Sequence, residues 1–377
     1  MTQSESQVQR GWQFVTNHVA ALLALAVLLW LSYDLVVKLL SPTSGVSAGL
    51  VLTFVWQGLV IGLVYGLAGI GLSMTYSILN FANFAHGDYI TTGAFGGWAA
   101  TFVVAGFGSY ELGNLILVGA GRVFGSASPG NLAITITSAP FSIFVGLVVS
   151  ALVTVVLALV LDRIVYKPMR NQDGIALLIA SVGVAFALRN LLQFVFGESV
   201  LTVAAQPGKL QIPIGAEVVN VSYHQAVLVV SAIVLMLAVH FVLQYTRLGK
   251  AMRAMADNKD LARVTGIPTE RVVLFTWIIG AALAGMAGFL LTLESGNLIY
   301  TRGWRLLLFI FAAVILGGIG SIYGAIAGGV IIGLTEKLSL IWLGGDLSDL
   351  ATAVAFGLMV LILLYRPEGL FSGRTTA

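Results

Sequence analysis

The chain has 377 residues, of which 58% are hydrophobic and 9% charged, and its formal net charge is +3. Soluble proteins carry about 25% charged residues, so this composition cannot cover a water-facing surface and reads instead as an all-α polytopic membrane protein. The small net charge argues against a nucleic-acid partner, the absence of cysteine excludes disulfides and thiolate metal sites, and four scattered histidines offer no metal site.

The first residues are polar. The apolar run at 19–40 has no small-residue cleavage site and reads as a retained extra N-terminal helix. Further apolar stretches lie at 50–79, 84–107, 141–166, 175–196, 223–245 and 272–293, and three more follow at 304–316, 322–343 and 350–364. An upright span needs about 20 residues, and some of these are shorter. Eight to ten transmembrane helices are therefore expected, at least one of them broken, in a single transmembrane domain over 1–377.

Glycines recur at every fourth position in two places. Gly58, Gly62 and Gly66 form one series, and Gly320, Gly324 and Gly328 form the other. Residues four apart share a helix face, and small ones let a neighbouring helix approach closely. Tight packing accounts for both series. The run GLAGIG at Gly66–Gly71 lies inside an apolar helix with no preceding strand, so it too is packing and not a dinucleotide site.

One polar break interrupts the apolar stretch 58–97. Asn80, Asn83, His86 and Asp88 sit there, with Phe81 and Phe84 interleaved. Unpaired polar groups at membrane depth are costly, so the break needs a reason. One reading is a sharp turn at the membrane surface, with Asn83 and Asp88 capping the next helix and His86 satisfying a local carbonyl. The other is a broken helix whose half-helix termini line a polar path. Neither reading makes His86 catalytic or a metal ligand.

Lysine and arginine concentrate on one set of loops, which places both termini on the cytoplasmic side. The segments 108–140 and 197–221 are then outer excursions, and the second contains alternating runs, KLQIPIG and EVVNVSY, that suggest a hairpin. Arg189 falls inside an apolar stretch, where a basic side chain can snorkel to the outer interface. Glu336 and Lys337 sit between apolar runs, as a pair or facing a cavity.

The loop 246–271 reads TRLGKAMRAMADNKDLARVTGIPTER. Asp257 or Asn258 can cap a short helix through Leu261 to Val264, Gly266 ends it, and Pro268 prevents continuation. The product is a basic amphipathic element at the cytoplasmic face. It is either an ordinary positive-inside loop or a docking element for a cytoplasmic partner. No phosphate loop, H-E-x-x-H motif or paired carboxylate is present, and no enzyme activity is expected.

Several motifs together resemble one family. Asn83-Phe84-Ala85-His86-Gly87-Asp88 follows a glycine-rich helix and fits the pattern N-x-A-H-G-[DE]. Gly249, Lys250, Arg253, Ala254, Asn258, Ala262, Gly266 and Ile267 fit G-[KR]-x-x-R-A-x-x-x-[ND]-x-x-x-A-x-x-x-G-I. The runs GGIGSIYGAIAGGVIIGL and RPEGLF complete the set. Over 58–371 the chain resembles branched-chain amino-acid ABC transporter permeases of the LivH/LivM type. The segment 108–140 and the first helix fall outside that likeness.

The resemblance implies a multi-pass subunit of the inner membrane. It would work with a second permease, two cytoplasmic ATPases and an extracytoplasmic substrate-binding protein, with ATP bound by the partners and no cofactor on this chain. It also implies ATPase coupling through Gly249, Lys250, Arg253, Ala254, Asn258, Ala262 and Gly266, to which the basic character of the same element adds Arg263. The broken-helix reading puts the translocation path at Asn80, Asn83, Phe84, His86, Gly87 and Asp88. A stand-alone secondary transporter or channel is the alternative outside this class. An importer for urea or short amides is the alternative within it.

Overall fold

A computed structural model describes residues 26, 29–41, 45–105, 134–170, 172–214 and 217–371. The expected first span is helical at 29–40, called α1, and the rest of it lies outside the described residues, as do residues 106–133 of the first excursion. The helices that follow are α2 (Ala48–Leu79), α3 (His86–Ala105), α4 (Pro140–Leu161), α5 (Gly174–Phe196) and α6 (Tyr223–Tyr245). Two short ones, α7 (Arg247–Asp257) and α8 (Lys259–Val264), precede α9 (Thr269–Ser295), α10 (Arg302–Gly317), α11 (Ile322–Ser339) and α12 (Leu350–Tyr365).

Six of these are long and apolar enough to cross a membrane: α2, α4 with its extension to Tyr166, α5, α6, α9 and α11. The remaining crossings expected from the sequence fall on α1, α3, α10 and α12. Apolar side chains such as Phe144, Ile179, Phe241 and Leu364 face outward from the bundle, which only a hydrocarbon surround tolerates on this scale. The chain is a multi-pass membrane protein.

Two small sheets sit at one end. Strands β1 (Leu201–Thr202) and β4 (Asn297–Leu298) pair antiparallel. Strands β2 (Lys209–Ile214) and β3 (Glu217–Ser222) form the hairpin that the alternating runs suggest, in register from Lys209↔Ser222 to Ile214↔Glu217. The hairpin fixes the start of α2. One oxygen of Glu217 accepts from Ser47 Oγ at 2.6 Å and from the Gly49 amide at 2.8 Å. A carboxylate at a helix N-terminus is also favoured by the helix dipole. We call this the hairpin end and the opposite one, where α7 and α8 lie, the basic end.

At the centre α2 packs against α11 along a glycine seam. A Cβ on Gly62 would stand 2.8 Å from the Gly329 carbonyl oxygen and 2.8 Å from Val330 Cα, and one on Gly58 would stand 2.8 Å from Leu334 Cα. Gly66 continues the seam against Ile326. The second glycine series departs from expectation. Only Gly324 and Gly328 lie in α11; Gly320 precedes it, in a turn with φ +89°. Gly324 and Gly328 face Gly317 and Ala313 of α10, while the partners of the α2 glycines are Gly329 and Gly333. One helix thus presents two small-residue faces to two neighbours.

Candidate functional site: the broken helix and the basic helices

Helix α2 ends at Asn80, whose backbone is left-handed (φ 56°) while its amide still donates to the Tyr76 carbonyl at 2.8 Å. Helix α3 starts at His86, and His86 Nε2 lies 2.9 Å from the carbonyl oxygen of Ala68. From Ala68 to Leu79 is about 16 Å along a helix axis. The chain therefore turns back into the protein before α3 begins. The first turn of α3 is buried among other helices, so the geometry is that of a broken helix and not of a surface turn.

The returning segment is held on several sides. Asn83 Oδ1 accepts from the Ala85 amide at 3.0 Å, an Asx-type turn, and from the Tyr166 hydroxyl at 3.4 Å. The Phe84 amide donates to Ser181 Oγ on α5 at 3.0 Å, and the Phe84 ring packs on Phe311 of α10 at 5.1 Å. Gly87 is pressed on Gly303, where a Cβ would meet the carbonyl oxygen at 2.7 Å. The Gly303 amide donates to Thr91 Oγ1 at 3.0 Å. Asn83, His86 and Asp88 are each 1% exposed or less, Phe84 is half-buried and Asn80 is exposed. The Asn83 amide nitrogen and the Tyr89 hydroxyl have no partner of ideal geometry among the described residues; the Tyr89 hydroxyl lies beside the side chains of Asn83 and Tyr166.

Asp88 is paired with Arg189. The guanidinium reaches Oδ2 at 3.2 Å and Oδ1 at 3.4 Å, and it lies 4.2 Å from the ring centre of Trp304 on α10. This replaces the snorkelling expected of Arg189. A carboxylate with no exposure demands a counter-charge more strongly than the interface attracts a guanidinium. Glu336 is likewise satisfied, by Lys337 at 2.9 Å and by the Tyr65 hydroxyl at 2.8 Å.

The basic end is built on caps. Thr246 Oγ1 accepts from the Gly249 amide at 3.1 Å to start α7, and Asn258 Oδ1 accepts from the Leu261 amide at 2.9 Å to start α8. Gly249 lies against the Leu243 backbone with no room for a side chain. Arg253 donates to the Leu243 carbonyl at 2.5 Å, so it closes the end of α6 and is not a free surface charge. Ala254 is half-buried, Ala262 is buried, and Lys250 and Arg263 are exposed. Gly266 takes φ +85°, as a helix terminator does. Between α7 and the ends of α2 and α6 lies a small apolar cleft of about 30 Å³ whose walls include Met74, Ile78 and Met252.

Sequence reasoning missed two features here. Leu261 and Val264 on α8 are 61% and 85% exposed, an apolar pair beside Lys259 and Arg263. Their alternation with charges was visible, but their outward direction depends on Ala262 being the residue that packs. Tyr166 was also missed. It belongs to a π-helical turn, Asp162–Tyr166, that extends α4, and no local pattern marks such a turn.

Comparison with known proteins identifies the family. The family described as branched-chain amino acid transport system / permease component matches residues 54–363. The high-affinity branched-chain amino acid transport system permease protein LivH of Escherichia coli (strain K12) is 30% identical over 317 residues, 84% of this chain and 93% of that protein. BraD of Pseudomonas aeruginosa, a permease protein of the same description, is 28% identical over 83% of this chain and 93% of its own length. LivM of Escherichia coli (strain K12) is 29% identical over 128 residues, 33% of this chain and 28% of that protein. No solved structure matches. The matched span takes in the broken helix, the glycine seam and both basic helices, and the chain belongs to the family of branched-chain amino acid transport system permease components.

Proposed function

We propose that this chain is the transmembrane permease subunit of an ABC importer that carries branched-chain amino acids, or similar small polar solutes, into the cytoplasm. The observation that carries the reading is the family match over 54–363, joined to near full-length likeness to LivH and BraD. LivH and LivM are separately named proteins and both resemble this chain, which supports a second permease subunit beside it. Two ATPases and an extracytoplasmic binding protein complete the assembly, in the inner membrane.

The basic end faces the cytoplasm on this reading, in keeping with the lysine and arginine bias. Helices α7 and α8 receive the ATPases, with Leu261 and Val264 as the apolar contact and Lys250, Lys259 and Arg263 around them. The solute path runs beside Asn80, Asn83, Phe84, His86, Gly87 and Asp88. The buried polar side chains Asn83, His86 and Asp88 suit a polar passage at membrane depth. Glycine-faced surfaces let α2 and α11 pack backbone against backbone beside the break.

The test is uptake by the purified complex in proteoliposomes, with labelled leucine and labelled urea, with and without ATP. ATP-dependent accumulation of leucine is expected. Accumulation of urea in preference to leucine would overturn the substrate class, and concentrative uptake by this chain alone would overturn the importer reading.

A further inference from the structure

We infer that Arg170 is a positioning residue that couples the basic helices to the break between α2 and α3. The inference rests on the importer reading and deepens it, by naming the residue that would carry ATPase movement to the path.

The contacts are continuous. Arg170 places one guanidinium nitrogen 2.9 Å from both carboxylate oxygens of Glu270. Its other terminal nitrogen lies 2.8 and 2.6 Å from the two oxygens of Asp162. Glu270 opens α9, immediately after the segment that joins α9 to α8. That joint is itself tied down, by the Thr265 amide to Leu261 and the Ile267 amide to Ala262, both at 3.0 Å. A displacement of α8 is therefore delivered to Glu270.

Asp162 lies on the inner side of the bridge. It accepts from the Trp277 indole at 2.8 Å and opens the π-helical turn that ends in Tyr166. The Tyr166 ring stacks on Trp277 at 5.2 Å and packs on Phe81 at 5.4 Å, and its hydroxyl donates to Asn83. Phe81 and Asn83 are both in the break. One arginine thus bridges a carboxylate beside the docking helices and a carboxylate beside the broken helix.

A buried ion pair is weak evidence of a stabilising role, because desolvation offsets much of the attraction. What singles out this one is geometry. A planar guanidinium can hold two carboxylates in fixed relative positions, which an ammonium cannot. The side chain of Glu270 is 65% exposed while that of Asp162 is 12% exposed, so the bridge runs from surface to interior. Lys167 reaches Glu270 at 3.3 Å but contributes only a second, exposed contact.

The experiment measures ATP hydrolysed per labelled leucine imported, in proteoliposomes holding the complete transporter. Arg170→Gln, Arg170→Lys and Glu270→Gln are compared with the wild type. Each variant is expected to assemble with the ATPases and hydrolyse ATP while import falls, so that the ratio rises by roughly tenfold, within the usual range for coupled sites. A residue that merely stabilises the fold would lower assembly and leave the ratio alone. Should Arg170→Gln fail to assemble, Glu270→Gln decides, since its side chain is largely in water. An unchanged ratio in Glu270→Gln would overturn the inference. A wild-type complex without ATP-driven leucine import would take down the importer reading, and this inference with it.

Discussion

Arg189 reaches Asp88 across 3.2 Å, joining α5 to the first turn of α3 over 101 residues of sequence. Asp88 has no exposure, and the guanidinium lies against Trp304, so three helices meet at one charge pair. Losing one partner of such a pair costs about 3–5 kcal/mol, because the other charge is left buried and uncompensated. Arg189→Gln is therefore expected to lower the thermal stability of the purified permease sharply. Asp88→Asn combined with Arg189→Gln is expected to recover most of the loss. Thermal unfolding of the two single variants and the double variant checks this as a cycle. Simple addition of the single effects would show that the pair is not coupled.

The glycine seam makes a second prediction. At Gly62 the obstacles are a carbonyl oxygen and a Cα of α11, and backbone cannot swing aside as a side chain tip can. Gly62→Ala is expected to destabilise by about 1–3 kcal/mol, the usual range for overpacking. Gly183 on α5 has nothing within 4 Å of an added Cβ. Gly183→Ala is expected to be neutral or to stabilise by up to about 1 kcal/mol through helix propensity. Melting temperatures of the two variants side by side test the contrast.

The break itself can be probed at Asn83. Its Oδ1 serves the Ala85 amide and the Tyr166 hydroxyl, both in the interior. Asn83→Ala removes the acceptor and leaves those donors unpaired, at about 1–3 kcal/mol. Asn83→Asp keeps the acceptor and is expected to preserve the turn better while adding a buried charge. Protease protection of the α2–α3 connection is expected to fall in the alanine variant. Wild-type protection there would show that the turn does not depend on this side chain.

Much of this architecture was readable beforehand, for a physical reason. Hydrocarbon leaves a backbone few choices, so apolar runs become helices almost wherever they are long enough. The break was legible because Asn80, Asn83, His86 and Asp88 have no business in such a run without partners. The partners were not legible. Ser181, Arg189 and Tyr166 lie on other helices, and only packing decides which residues of two distant spans meet. Gly320 misled because its spacing continues into α11 across a turn, where positive φ at Gly318 and Gly320 is the real requirement. Arg253 misled because a basic residue in a polar loop resembles a surface charge, whereas here it serves the Leu243 carbonyl near the end of α6.

That last point changes how docking at the basic end should be tested. Arg253→Glu would place a carboxylate against the Leu243 carbonyl and disturb the α6–α7 joint, so loss of ATPase binding in that variant would say little about contact. Leu261 and Val264 are better probes. They stand out in solvent on α8, while Ala262 on the opposite side does the packing, so replacing them leaves the fold alone. Leu261→Asp with Val264→Asp is expected to abolish co-purification of the ATPases, with membrane insertion and melting temperature unchanged. An aspartate in place of either apolar side chain would have to be buried unpaired under a docked partner, which is costly. Lys259→Glu with Arg263→Glu is expected to weaken the same association in a salt-dependent way, since charges at a rim act mainly on encounter. Full retention of the ATPases by the double aspartate variant would place their docking surface elsewhere.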